Sequence, residues 1–350
     1  MAAWLRLSNE MRVLRTLGLS VALLTLLTDP VFAQKAGTSQ AITWTAGALG
    51  GGWFDISTGM AALLQEKANL AIRVIPGGGA QNPVLVDKGD AAIGLGLPSL
   101  LAAAVRGEDP YSRRKIDSLR ALAGNMSPSF LHFYVAGDSA LAKLTLEEIF
   151  RGKRPIRLVI PKPGTADVWV LEKIMTFYGL CAPGRIADCY KSWEEAGARL
   201  LRGSYADQVA MFKGRKVDGV FAILALPADA VTAASEGRTL TLLPCPQPLL
   251  EHLAGFGLGG GVIPGGAYPR AVNGAETVSG ATMGTTVIVS AAMSDDLAYT
   301  ITKTINDNVD RVRTLHPSLA DYDPSKGWLR LGLALHPGAE RYYRERGWLQ

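Results

Sequence analysis

The chain has 350 residues, 48% of them hydrophobic and 19% charged, with a mean hydropathy of +0.15. Such a chain can bury one large core or two medium ones, which excludes a disordered protein. Its formal net charge of +5 comes from basic residues that are scattered and not interleaved with aromatics, so no nucleic-acid partner is expected. A mildly positive field favours anionic solutes.

The N-terminus carries Arg6, Arg12 and Arg15, an apolar run from Leu17 to Leu27, and small residues up to Ala33. That is the pattern of a cleaved secretory signal over 1–33, and the apolar run is too short for the roughly 20 residues that span a bilayer. The expectation is therefore a periplasmic protein with no lipid tether near the cut. Cys181 and Cys189 flank a turn and could pair in an oxidising compartment, leaving Cys245 free; three unpaired, buried thiols are the alternative. Neither spacing suggests a metal site.

Strand and helix alternate from Ile42 onward. Ile42 to Thr45 reads as a strand, followed by a glycine turn and a helix whose buried face runs through Ile56, Met60 and Leu64. Strands follow at Ala71 to Ile75 and Ala91 to Leu95, with a short helix ending near Lys88 between them. Strict alternation of this kind means a parallel sheet with right-handed crossovers. Leu119 to Ala123 and Phe130 to Ala136 read as further strands, the second leaving this unit.

A second α/β unit opens with a short helix from Leu144 to Phe150, a strand from Ile156 to Ile160 and a helix from about Thr165 to Tyr178. Helices near Tyr205 to Phe212 and Pro227 to Ser235 alternate with strands at Val217 to Ala222 and Thr239 to Leu243. Gly255 to Gly284 has no clear period and reads as an ordered loop that crosses back. Thr285 to Ser290 is a strand, and Ser294 caps a helix whose apolar face runs through Ile301, Ile305, Val309 and Val312. A short helix around Ala339 to Arg346 closes the chain. The division expected is lobe one over 38–133 and 282–350 and lobe two over 134–281. Two such lobes joined by two crossings form a cleft suited to hinge closure on a ligand, although an enzyme could use the same frame.

In α/β sheets ligands sit beyond the C-terminal strand ends, where turns enter helix starts. Three turns here share that place: Gly50-Gly51-Gly52-Trp53-Phe54, Gly77-Gly78-Gly79-Ala80-Gln81-Asn82 and Pro163-Gly164-Thr165-Ala166-Asp167. Glycine lets main-chain amides approach a ligand, and a helix start adds positive potential, so each turn is a candidate anion site. Tight turns also need glycine for purely structural reasons, and it is the facing of two turns by a third that favours a ligand. Trp53 and Phe54 can pack on a carbon skeleton or simply fill a core. Lys162 is a possible counter-ion, and Thr165 offers a hydroxyl at a helix start.

No turn has the ending of a phosphate-binding Walker loop, and the first lacks dinucleotide spacing, so no nucleotide cofactor is expected. His132, His252, His316 and His336 show no ligand spacing and read as structural; no serine-hydrolase elbow is present. Asp55 and Asp167 are the acids near the turns, and helix capping explains both without catalysis. The reading is of a binding protein, not an enzyme.

Several blocks in register resemble the TAXI family, the receptors of one branch of TRAP transporters. They are Gly51-Gly52-Trp53-Phe54, then Gly78-Gly79-Ala80-Gln81-Asn82 through Gly89-Asp90, then Lys216-Val217-Asp218-Gly219 leading to Pro227, and the closing run from Leu335 through His336-Pro337-Gly338 and Tyr342-Tyr343 to Gly347. The resemblance spans Ile42 to Gly347. It implies a type II periplasmic-binding-protein fold, two α/β lobes with a hinge, and capture of a small organic acid anion in the interlobe cleft. It further implies delivery to TRAP permease subunits; a monomer is expected. A sensor for a membrane signalling partner would share the same fold, and a carboxylic acid dehydratase on the same scaffold is the enzymatic alternative.

The departures fall at the ligand. Trp53 and Phe54 stand where the family has a tyrosine pair, and Leu97-Pro98-Ser99 replaces a polar stretch. Gly79 replaces a small hydroxyl, and Gly164-Thr165-Ala166-Asp167 occupies a Gly-Ser-Gly-Thr turn. Fewer hydrogen-bonding groups point to a less polar ligand than glutamate, because an unpaired buried polar group costs about 1–3 kcal/mol.

Overall fold

A computed structural model describes residues 41–350 except Arg113. The expected signal segment, 1–33, lies outside the described residues. The chain runs through β1 (Ile42–Thr45), α1 (Gly52–Ala68), β2 (Ile72–Ile75), α2 (Asn82–Asp87), β3 (Ile93–Gly96), α3 (Pro98–Arg106) and β4 (Leu119–Ala123). It continues with β5 (Ser129–Ala136), α4 (Leu146–Arg151), β6 (Arg157–Ile160), α5 (Ala166–Phe177), α6 (Ile186–Glu195), β7 (Arg199–Arg202), α7 (Tyr205–Lys213) and β8 (Gly219–Ala225). Then come α8 (Asp229–Gly237), β9 (Leu240–Leu242), α9 (Gln247–Ala254), β10 (Gly259–Ile263), β11 (Val278–Met283), β12 (Thr286–Ser290), α10 (Asp295–Asp307), α11 (Val309–Arg313) and α12 (Pro337–Glu345).

The strands form two sheets. The first has five strands in the order β2-β1-β3-β12-β4, and the second is ordered β10-β11-β5-β8-β6-β7, with β9 paired to β5. The expectation of a parallel sheet holds for β2-β1-β3 and for β8-β6-β7, but β12 runs antiparallel to both its neighbours and β5 antiparallel to β8. The chain passes between sheets twice, at 124–128 and at 284–285. All of β5 pairs in the second sheet, so a lobe boundary at 133/134 cuts this strand, and one at 281/282 cuts β11.

Alternation along the strands sorts the core into faces. Val287 and Val289 of β12 join Ile56, Met60, Ile301 and Tyr343 on one face of the first sheet, while Ile288 points to the other side. In β8, Phe221 and Ile223 face a core shared with Leu97 and Leu100 of lobe one, and Val220, Ala222 and Leu224 face Phe212 and Val231. All seven residues of β8 are buried, as a strand covered on both faces requires.

Two local readings needed correction. Gly255 to Gly284 is not a loop throughout, because β10 and β11 within it form an antiparallel ribbon. The reason is visible at Gly261: a Cβ there would come within 2.5 Å of Thr282 and 3.3 Å of the Phe130 ring, so glycine is needed where alternation would have shown. The apolar face from Ile301 to Val312 is split over two helices. Asn308 leaves helical geometry and its side-chain amide donates to the Thr304 carbonyl at 2.8 Å, which ends α10. Ser294 does cap that helix, accepting from the Leu297 amide at 3.3 Å.

Cys181 and Cys189 form a disulfide with Cα atoms 4.8 Å apart. Cys245 is free and buried, and burial pushes its thiol up to about 12. Among the described residues no helix is long and apolar enough to cross a membrane.

Candidate functional site

The site begins at the C-terminal ends of β1, β6 and β8. After β1 the chain turns through 46–51 and enters α1, with Gly51 at the N-cap in extended geometry and no side chain capping the first turn. The first amides of a helix have no partner within it, and α1 is 17 residues long, so its start carries a positive end that exposed Asp55 in the first turn only partly offsets. After β6, Gly164 takes a φ of +92°, a conformation that favours glycine, and Thr165 becomes the N-cap of α5. The Thr165 hydroxyl does not cap the helix; it donates to the Lys162 carbonyl at 3.2 Å, and Asp167 is the acidic residue of this first turn.

The glycine turn before α2 is held by Asn82. This buried side chain accepts from the Thr45 hydroxyl at 2.8 Å and from the Gly78 amide at 2.9 Å. Its own amide donates to the carbonyls of Ala46 at 2.6 Å and Leu95 at 2.7 Å. With its polar atoms committed in this way, Asn82 shapes the turn from behind.

The two lobes are closed on one another. The Gln81 amide donates to the Gly164 carbonyl at 3.0 Å, and a Cβ added at Gly78 would lie 2.8 Å from that same oxygen. A Cβ at Gly79 would meet Leu97 at 2.7 Å and Ala166 at 3.3 Å, and one at Gly51 would meet the Tyr205 ring at 3.0 Å. Glycine at these positions is what lets the backbones meet.

Between these contacts lies a cavity of about 50 Å³. A single water needs about 10–15 Å³ on the same measure, so the space suits a small solute. Lobe one contributes Gly47, Ala48, Gly51, Gly52, Trp53, Gly78, Gly79 and Leu97 to its wall, and the second sheet and its helices contribute Ser129, Thr165, Ala166, Asp167, Tyr205 and Ile223 to Ala225. Trp53 is oriented by its indole N–H, which donates to the Thr285 hydroxyl at 3.0 Å.

Asp167 is the one acidic side chain in this wall, and it is only 2% exposed. Its carboxylate accepts from the Ile223 amide at 2.5 Å and from the Tyr205 hydroxyl, which lies 3.2 Å from each oxygen. Burial nonetheless dominates and pushes its pKa up to about 6, with the Ile223 amide the leading opposing influence. Tyr205 is raised well above the usual phenol value, first by burial and then by Asp167, so it is a neutral donor.

The structure brings Gly51, Gly52, Trp53, Gly78, Gly79, Leu97, Thr165, Ala166 and Asp167 to this cavity. Lys162 and Gln81 lie instead in an adjoining outer groove of about 270 Å³ that shares Ala48, Thr165 and Tyr205 with it. Pro227 lines a neighbouring crevice, with Asp55, Asp229 and His316, that shares Gly51, Gly52, Leu224 and Ala225 with the cavity. Phe54 and Asn82 are not in the wall. Ser99 is buried in α3 beside Gly257, and its hydroxyl has no partner among the described residues.

Sequence reasoning did not single out Tyr205, Ser129 or the end of β8. Tyr205 opens α7, where a helix near Tyr205 to Phe212 was expected, but its reach to Asp167 depends on the pairing of β6 with β8. Of the histidines, His336 accepts from the Gly338 amide at 3.2 Å and caps α12, and buried His132 lies 2.8 Å from the Tyr268 hydroxyl. His316 also holds a turn, but its ring faces the start of α1: a Cβ at Gly52 would lie 2.7 Å from its Nε2.

A model of the NMT1-like family matches residues 44–347. Among solved structures, the chain is similar to a binding protein component of an ABC phosphonate transporter from Pseudomonas aeruginosa. The identity is 9%, with 80% of this chain and 78% of that one covered and a TM-score of 0.47. It is also similar to a protein described as a phosphate ABC transporter substrate-binding protein from Clostridium perfringens, at 12% identity, 79% and 98% coverage and a TM-score of 0.45. A structure described as a periplasmic transporter matches at 15% identity, 89% and 93% coverage and a TM-score of 0.46.

Proposed function

The chain belongs to the NMT1-like family, and from that premise we propose that it is an extracytoplasmic solute-binding receptor that closes its two lobes on a small organic acid anion. The observation that carries this reading is the meeting of two helix starts that lack a side-chain capping bond at the N-cap, from α1 in one lobe and α5 in the other, on a single small cavity. Each start presents amides without intrahelical partners and about half a positive charge, so the pair balances roughly one negative charge without an arginine. Trp53, Leu97, Ile223 and Leu224 supply apolar wall for a short carbon skeleton.

The motif blocks that resemble TAXI receptors support a finer reading, in which the bound anion is handed to TRAP permease subunits. On this reading lobe one comprises β1 to β4 with β12 and the C-terminal helices, and lobe two comprises β5 to β11. The cavity residues above are the ligand contacts, with Lys162 and Gln81 at the entrance.

A metabolite panel of small carboxylates, sulfonates and phosphates, screened by thermal unfolding of the purified protein, tests the proposal. A ligand at a hundredfold excess over its dissociation constant should stabilise the protein by about 2.7 kcal/mol. Stabilisation by neutral sugars or cations, with no response to any anion, would remove the anion-receptor reading.

A further inference from the structure

The cavity holds a contradiction for a receptor of anions: its wall contains a buried carboxyl. Asp167 sits in the first turn of α5, one residue after Ala166, at the very helix start proposed to hold the anion. Two helix starts offer a summed charge near +1. An ionised Asp167 in the same wall would cancel it and oppose an anion about 5 Å away by on the order of a hundredfold in affinity.

We propose that Asp167 makes anion capture proton-linked: each anion that enters the cavity brings with it one proton from water, which Asp167 holds while the ligand is bound. This rests on the anion-receptor reading above.

The surroundings of Asp167 favour such a role. From α7 it meets the Tyr205 phenol, from β8 the Ile223 amide and apolar side chains, and at its own helix start its own amide and the Thr165 hydroxyl, while from β5 the cavity receives Ser129. The glycine turn and the start of α1 bring Gly78, Gly79, Gly51, Gly52 and Trp53, none of them titratable. Lys162, the basic residue nearest in the chain, lies in the outer groove and not in the cavity wall. No cation therefore holds Asp167 ionised, and burial has already moved its titration up to about 6 before any anion is present. A bound negative charge moves it further in the same direction. His316, in the neighbouring crevice with Asp55 and Asp229, is lowered from its usual value by burial, against the opposing pull of those two carboxylates.

Titration calorimetry of the purified protein with sodium pyruvate, glutamate, succinate and phosphate, from pH 5.5 to 8.5 and in buffers of different ionisation heat, tests this. The expected result is uptake of one proton per anion and an affinity that falls about tenfold for each pH unit above the Asp167 titration. Asp167→Asn should lose both the slope and the proton uptake, and bind at pH 8 more tightly than the wild type does. Carboxyl ¹³C shifts of Asp167 in the wild-type protein give a readout that needs no variant, with a titration that moves to higher pH when the anion is added. Anion binding that is independent of pH and free of proton uptake would overturn the linkage and leave the receptor standing. Failure of all four probes at every pH would overturn the receptor reading and the linkage with it.

Discussion

At the start of α1 the chain brings Gly51, Gly52 and Trp53 to the cavity; at the start of α5 it brings Thr165, Ala166 and Asp167. The first turn offers backbone amides and an indole already bonded to Thr285, with Asp55 and the His316 ring beside it in the neighbouring crevice. The second offers the same kind of backbone and adds a buried carboxyl wired to Ile223 and Tyr205. One lobe supplies shape to the cavity wall, and the other adds the one carboxyl in it. On the receptor reading proposed above, selectivity in this cleft resides in lobe two, and closure depends on the glycines of lobe one.

Breaking closure gives the largest effect. The three heavy atoms nearest to a Cβ at Gly78 are the Gly164 oxygen at 2.8 Å, the Gly164 carbonyl carbon at 3.4 Å and the Thr165 Cα at 3.4 Å, all from the opposite lobe. Gly78→Ala should leave each lobe folded and wedge the shut form, at a cost of about 1–3 kcal/mol. That corresponds to a loss of ligand affinity on the order of a hundredfold. Calorimetry reads the loss, and an unchanged urea midpoint for the unliganded protein separates it from misfolding.

The buried carboxyl predicts an effect on stability nearly as large. The folded-state pKa of Asp167 is raised to about 6, so between its usual value and pH 6 the folded protein binds more protons than the unfolded chain, and stability falls as pH rises through that window. Buried His132 acts the other way: burial lowers it to about 4, the unfolded chain binds more protons between there and its usual value, and stability is lost as pH falls. The two oppose each other in mildly acid solution. Asp167→Asn should leave His132 unopposed, steepening the acid limb of the stability curve and raising stability at pH 7 by on the order of 2 kcal/mol. Urea unfolding from pH 4 to 7 reads both effects, and a curve parallel to the wild type's would show that Asp167 is not held as described.

Tyr205→Phe sharpens the comparison further. It removes one donor to the Asp167 carboxylate, at 3.2 Å from each oxygen, and leaves the Ile223 amide in place. A hydrogen bond of this kind contributes about 0.5–1.5 kcal/mol. The midpoint of the Asp167 titration should therefore move up by up to about one pH unit, seen in the carboxyl ¹³C shift.

How much of this was legible beforehand follows the same divide between backbone and side chain. The three glycine turns could be read from the sequence because each follows a strand and opens a helix, a local pattern. Asp167 could be named as part of the third turn, and Leu97 as a departure from the pattern of the TAXI family that the chain resembles. Tyr205 could not be assigned to the cavity, because its hydroxyl reaches Asp167 only once β6 pairs with β7 and β8, contacts remote in sequence. The ribbon of β10 and β11 was hidden for a different reason: Gly259, Gly260 and Gly261 carry no side chains to alternate. Lys162 was legible as a cation beside a turn, but its place outside the cavity depends on Pro161 and Pro163 lining the outer groove with it.

That position leads to the smallest expected effect. Lys162 is exposed and shares the outer groove with Gln81, Thr165 and Tyr205, so it adds to the potential an anion meets on approach and makes no contact in the cavity itself. Charges of this kind act on encounter more than on residence, and salt screens them over about 10 Å at 0.1 M. Lys162→Ala should slow anion association by about two- to threefold at low salt, leave dissociation unchanged, and become indistinguishable from the wild type at high salt. Stopped-flow fluorescence from Trp53 follows both rates. A change in the dissociation rate that persisted in high salt would instead bring Lys162 inside the closed site and assign part of the anion's charge balance to a side chain of lobe two.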